Sequence, residues 1–167
     1  YVGAVTSTGR MHRVSVLDLP GDPTTDGPPS LAGGVPVAEV VPLDPGERVI
    51  ALVSLAEGTP PVALGTAAGV VKRVAAGDAP AKGDAWEIVS LKDGDEVVGA
   101  GHADDDDELV LVSSDAQLLH FAAKNVRPQG RAAGGMAGIK LGSGARAVFF
   151  GVVPASSAHD ANVVTIA

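Results

Sequence analysis

The chain contains no cysteine, which excludes disulfides and thiolate metal sites. Aromatic residues are nearly as scarce. With one Trp, one Tyr and three Phe among 167 residues, a core has to be assembled chiefly from aliphatic side chains and glycine. No apolar run approaches the ~20 residues that span a bilayer. The runs present, such as Val49–Val53, Leu109–Val112 and Ala147–Val153, have the length of strands and most are bounded by turn residues. They also argue against disorder, although 22 glycines and 12 prolines bring the composition close to low complexity. Positive charge is short as well: 12 Lys and Arg stand against 20 Asp and Glu, a net charge of -8, which is a poor match to a polyanion partner. The opening Tyr1-Val2-Gly3-Ala4-Val5 has neither Met nor a basic-then-apolar leader, and reads as the middle of a strand in a piece of a larger cytoplasmic protein.

What the chain does have is internal repetition. Thr6-Ser7-Thr8-Gly9-Arg10-Met11-His12-Arg13-Val14 returns as Thr66-Ala67-Ala68-Gly69-Val70-Val71-Lys72-Arg73-Val74. It returns again, with Ala at the turn, as Ser113-Ser114-Asp115-Ala116-Gln117-Leu118-Leu119-His120-Phe121. Each copy reads as strand, tight turn, strand. A second element follows each: Leu43-Asp44-Pro45-Gly46-Glu47-Arg48, then Leu91-Lys92-Asp93-Gly94-Asp95-Glu96, then Leu141-Gly142-Ser143-Gly144-Ala145-Arg146. The offsets are 60 and 47 for the first element and 48 and 50 for the second. The extra length falls on the Pro/Gly/Asp-rich segment from Pro20 to Gly34, which reads as a surface loop. Units of about fifty residues with four short strands each predict an all-β, propeller-like array of blades. The blades fall at about 1–61, 62–107 and 108–160, and a fourth begins at 161–167; no helix is needed.

The third unit carries Val126-Arg127-Pro128-Gln129-Gly130-Arg131-Ala132-Ala133-Gly134-Gly135-Met136-Ala137-Gly138-Ile139-Lys140-Leu141. With Gly69-Val70-Val71-Lys72-Arg73, Phe121 and Asp93-Gly94-Asp95-Glu96-Val97-Val98, this resembles the blade signature in the C-terminal domain of bacterial type IIA topoisomerase A subunits. No single blade holds every piece, but the pieces recur in order over nearly the whole chain. The resemblance implies a β-pinwheel whose blades exchange strands and whose outer rim carries bent double-stranded DNA. It also implies a larger assembly with B subunits and a second A subunit, with ATP and Mg bound elsewhere, acting in strand passage, relaxation and decatenation at the bacterial nucleoid in the cytoplasm. Gyrase members of the family carry a Q-R-R-G-G-K-G box. The nearest string here, Gln129 to Gly135, has one cation where the box has three. Its absence favours the topoisomerase IV branch, with a gyrase wrapping domain as the alternative and a protein-interaction scaffold as another.

Charge by segment locates the candidate contacts. Residues 1–61 hold seven acids and three bases, residues 62–107 ten and four, residues 108–167 three and five. The basic residues around the Gly-rich connection, Lys124, Arg127, Arg131 and Lys140, lead the candidates for phosphate contact. Lys72 and Arg73 after a hairpin turn come next, then Arg10 and Arg13 in their acidic segment. Arginine supplies charge-assisted hydrogen bonds and glycine lets the backbone approach a phosphate. Such contacts position a duplex without reading its sequence. The alternative for Arg127 and Arg131 is a salt bridge to acids of the preceding blade. Asp104-Asp105-Asp106-Asp107 lacks the glycine spacing and terminal Glu of a calcium loop and reads as a solvated hairpin tip. His12, His102, His120 and His159 show no ligand spacing; His12 aligns with Lys72 and His120 with Arg73, as rim positions. Trp86 reads as a packing residue beside Glu87-Ile88-Val89. The sequence offers no catalytic constellation, no metal set and no cofactor site within these residues.

Overall fold

The computed structural model describes residues 1–19, 34–75 and 78–164. The loop expected from Pro20 to Gly34 lies, apart from Gly34 itself, outside them. The three repeated hairpins form as β1 (Val2–Thr6) with β2 (Arg10–Val14), β4 (Val62–Thr66) with β5 (Val70–Val74), and β8 (Glu108–Ser113) with β9 (Leu118–Ala122). From each second element a strand returns antiparallel onto the hairpin: β3 (Val49–Ser54) onto β1, β7 (Val97–His102) onto β4, and β11 (Ala147–Val153) onto β8. Among the described residues the helical turns are short 3-10 segments and none is α-helical.

The fourth strands come from elsewhere. β6 (Ala85–Glu87), in the second unit, pairs with β2 of the first; β10 (Met136–Ala137), in the third unit, pairs with β5 of the second. The sheet orders are therefore β3-β1-β2-β6, β10-β5-β4-β7 and β11-β8-β9. Exchange closes an edge whose N–H and C=O groups would otherwise stand unpaired. The third sheet has three strands among the described residues. Ala161–Val164, expected to begin a fourth blade, is exposed and forms no strand, and 165–167 lie outside the described residues.

The sheets meet through β3, β7 and β11, so β6, β10 and β9 form the opposite, outer edge. Apolar side chains fill the gaps between sheets: Val5, Met11, Leu64, Trp86 and Val97 between the first and second, Val71, Leu109, Leu111 and Phe150 between the second and third. Scarce aromatics are compensated by close approach. A Cβ on Gly65 would stand 2.5 Å from the Phe150 ring, so glycine forms the shelf on which that ring rests.

The hairpin turns show what an added strand demands. Gly9 and Gly69 have φ of 77 and 79, the left-handed region. Their carbonyls receive the N–H of Ile88 and of Gly138, each at 2.9 Å, where the exchanged segments end. A Cβ at Gly69 would stand 2.7 Å from the Ile139 carbonyl oxygen. In the third hairpin Ala116 takes this position at φ 62, a conformation that costs an L-residue about 1–2 kcal/mol.

A buried carboxylate fixes the first blade. Glu47 Oε1 accepts hydrogen bonds from the hydroxyls of Thr6 and Thr8, both at 2.5 Å, and Oε2 accepts the Asp44 N–H at 2.9 Å. Burial alone would raise its pKa, but these hydrogen bonds and nearby His12 outweigh it and hold the group at about 2. Its stabilising contribution is complete above the usual 4.5 and is lost as pH falls through about 2.

Replacing Ala116 with Gly should raise the urea midpoint by the equivalent of about 1 kcal/mol, since the left-handed strain is removed; an unchanged or lower midpoint would contradict strain at this turn. Glu47→Gln should lower Tm at neutral pH, and the gap to the parent should close as pH falls toward 2. A gap that stays constant across a melting series would show that the charge on Glu47 is immaterial.

Candidate nucleic-acid interface

The outer edge of the second sheet is built by the chain that leaves β9. After the 3-10 turn Ala123–Asn125, Val126 is buried and Arg127 exposed. Gln129 then bridges to Val74 in parallel, its N–H bonding the Arg73 carbonyl at 2.9 Å. Beyond Gly130, the Arg131 N–H bonds Asp78 Oδ2 at 3.0 Å and the Ala133 N–H bonds the Gly130 carbonyl at 3.1 Å. The chain then enters β10, meets Gly69 at Gly138, and continues to the exposed Lys140. Arg127, Arg131 and Lys140 are thus strung in order along one edge, with Gly130 and the run Ala132–Gly135 among the residues between them.

Two expected contact residues lie beneath this edge instead. Lys72 and Arg73 are 0% and 2% exposed, and a duplex on the outside cannot reach them. A Lys-Arg pair reads as a solvated strand face only if one face of the strand stays open. β5 is covered by the neighbouring sheet and by the exchanged segment. The Lys72 ammonium donates to the carbonyls of Ile88 at 2.8 Å and of Arg131 and Ala133 at 2.7 Å each. Burial depresses its pKa to about 8, against the opposing pull of Asp78 and Glu87. The Arg73 guanidinium donates to Asp105 Oδ1 at 2.8 Å and to the carbonyls of Ala103, Ala123 and Val126 at 3.0, 3.0 and 3.3 Å. His12, aligned with Lys72, is likewise interior, with Nε2 3.7 Å from Glu47 Oε1 and neither ring nitrogen hydrogen-bonded. It is not a rim position. His120, aligned with Arg73, is exposed and sits 3.1 Å from Glu108.

The other expected residues divide by pairing. Arg127 and Lys140 are exposed and form no ion pair among the described residues. Arg131 lies 4.0 Å from Asp78, the bridge to the preceding unit's acids that was its alternative, yet remains partly exposed. Lys124 pairs with Asp106 at 3.6 Å and Arg10 with Asp44 at 2.9 Å, all four side chains accessible. Arg13 donates to the Pro80 carbonyl at 3.0 Å and lies over the rings of Trp86 and Tyr1, so it clamps the first exchanged segment. That segment carries Asp78, Asp84 and Glu87 against Lys82, leaving the outer edge of the first sheet acidic.

The tetra-aspartate turn between β7 and β8 is a tip, as its composition suggests, but its members have structural work. Besides Asp105, Asp107 bonds the N–H groups of Asp104 and Ala155. A row of charges at one register position escapes a reading of the sequence by segment: Glu96 receives Arg48 at 2.8 Å on one oxygen and Arg146 at 2.9 Å on the other. Each is the fifth residue after Leu43, Leu91 and Leu141, so the signal lies in the repeat alignment. Among the described residues no three His, Asp or Glu side chains converge on a common point for a metal, and no helix is long and apolar enough to cross a membrane.

Comparison with known proteins agrees with this architecture. The family described as DNA gyrase C-terminal domain, beta-propeller, matches residues 61–103 and 107–154. The DNA gyrase A protein of Haemophilus influenzae is 34% identical over 139 residues, covering 81% of this chain and 15% of that protein. The DNA gyrase A protein of Mycobacterium tuberculosis is 33% identical over 153 residues, covering 89% and 18%. The chain thus spans less than a fifth of these relatives. Among solved structures, the C-terminal domain of DNA topoisomerase IV superposes with a TM-score of 0.77 at 24% identity, over 92% of this chain and 47% of that one. The DNA gyrase A C-terminal domain gives 0.66 at 20%, over 90% and 46%. Strand-exchanged sheets, the repeat signature and the family match across more than half of its length establish that the chain belongs to the C-terminal β-propeller domains of type IIA topoisomerase A subunits.

Proposed function

We propose that the chain is a DNA-binding module that holds a duplex against the outer edge of its second sheet. The observation that carries this reading is the run of Arg127, Arg131 and Lys140 along one edge, with Arg127 and Lys140 unpaired among the described residues. Small residues between them let the sugar-phosphate backbone approach, and the cations neutralise phosphates without reading bases. The acidic edge of the first sheet repels the same duplex. Contact is therefore short, affinity low, and any bend modest, because bending a short duplex costs on the order of a few kcal/mol that several phosphate contacts must offset. In the intact protein such a module would raise the local concentration of a crossing segment at a catalytic core elsewhere. That core, built with B subunits and a second A subunit, would use ATP and Mg to perform strand passage in the bacterial cytoplasm.

Within the family, the weakness of the edge supports the topoisomerase IV branch. Only Arg131 lies where the box would supply three cations, and Asp78 already faces it. The curated relatives named above, both gyrase A proteins, favour the other branch. A wrapping assay separates the two: gyrase-type domains trap writhe of one hand in relaxed circular DNA, and the module proposed here should leave linking number unchanged.

Binding to a linear duplex should weaken steeply with salt. Arg127→Gln with Lys140→Gln should make the slope of log K against log salt shallower by about 2, at roughly 0.9 per phosphate contact. An unchanged slope in a fluorescence-anisotropy titration would remove this edge from consideration.

A further inference from the structure

A strand that buries two adjacent cations needs an explanation, since an ammonium taken out of water is costly unless hydrogen-bonded. At Lys72 the compensation is complete: three hydrogens meet three carbonyls. Two of these, Arg131 and Ala133, belong to the glycine-containing edge segment. Arg73 holds a third point of that segment, the Val126 carbonyl next to Arg127, together with Ala123 at its root. Among the described residues little else fixes the stretch. Between Arg127 and Gly135 its other bonds to described residues are those of Gln129, Arg131 and Ala133 given above, a contact from Ser90 to the Ala133 carbonyl at 3.4 Å, and the 4.0 Å approach of Arg131 to Asp78. Gly130, Gly134 and Gly135 leave its backbone wide freedom.

The internal repeats make the comparison. The positions of Lys72 and Arg73 are filled by His12 and Arg13 in the first hairpin and by Leu119 and His120 in the third. His12 bonds nothing through its ring nitrogens, and Leu119 has nothing to donate. A buried ammonium therefore underlies one outer edge alone, and that edge is the basic one.

We propose that Lys72, with Arg73, is a positioning residue for the duplex contacts. From beneath the edge the pair fixes the Val126, Arg131 and Ala133 carbonyls, and so sets where Arg127 and Arg131 point. The role rests on the DNA-binding reading above. Lys72 acts through Arg131, whose carbonyl it holds, and touches no phosphate. Its ammonium is faced by the charges of Asp78 and Glu87 from the first exchanged segment and by the Arg131 backbone carbonyl from the edge, whereas Arg73, next along β5, points to the other face and pairs with Asp105. Raising pH through about 8 removes one of the three donated hydrogens and frees a carbonyl.

The test is a double-mutant cycle on duplex affinity at low salt, with Lys72→Met, Arg131→Gln and the pair, accompanied by amide hydrogen exchange. Lys72→Met should weaken binding by about tenfold, and much less in the Arg131→Gln background, since coupled residues are non-additive. Exchange at Gly130–Gly134 should accelerate while that of β8 stays unchanged. Equal losses in both backgrounds, or unchanged exchange along the edge, would overturn the role of Lys72. Absence of duplex binding by the unmodified chain would instead overturn the DNA reading, with the exchange data still deciding whether Lys72 fixes the edge. If Lys72→Met fails to fold, the unmodified chain answers through pH. Protection at Gly130–Gly134, corrected for intrinsic exchange, should fall with a midpoint of about 8, and protection that stays flat through this range overturns the proposal.

Discussion

An antiparallel sheet with an open edge leaves a row of backbone donors and acceptors facing water or another chain. In this molecule the first two sheets close that edge with a segment borrowed from the next unit. The borrowed strands are very short, three residues in β6 and two in β10, and backbone pairing alone gives them little hold. What secures them is chemistry at both ends. A left-handed glycine receives the end of the segment, and cations on the acceptor strand, Arg13 in one sheet and Lys72 with Arg73 in the other, bond carbonyls along the approach. The third hairpin, which has no fourth strand among the described residues, has Ala116, Leu119 and His120 at the corresponding places.

Exchange also decides where charge is available. The chain has only 12 basic residues against 20 acidic ones, and several of the basic ones are committed to the fold. Lys72 and Arg73 are interior, Arg13 clamps Pro80, and Arg48 and Arg146 tie neighbouring turns together through Glu96. Because each outer edge belongs to the following unit in sequence, the bases of the third unit are displayed on the second sheet. The acids of the second unit are displayed on the first. A duplex following the outside of the array would meet these opposite fields in succession.

Much of this was written locally in the sequence. Three hairpins follow from the alternation of apolar residues around Gly9, Gly69 and Ala116, and three returning strands from the turns at Gly46, Gly94 and Gly144. These features depend on neighbouring residues and on φ values that favour glycine, so the repeat alignment located them. The same alignment placed His12, Lys72 and Leu119 in register, although it could not say that the register position is interior.

The amino-acid order by itself therefore determined the all-β repeat, the turns, and the segment in which exposed bases concentrate, because each of these is a short-range property of the chain. Only the tertiary structure decided which cations are free. Residues far apart in sequence become neighbours when other parts of the chain pack against β5, Lys72 with Ala133 of the exchanged segment and Arg73 with Asp105 of the β7–β8 turn. Whether a lysine on a strand meets water or carbonyl oxygens depends on what packs over that strand, and no local pattern records it.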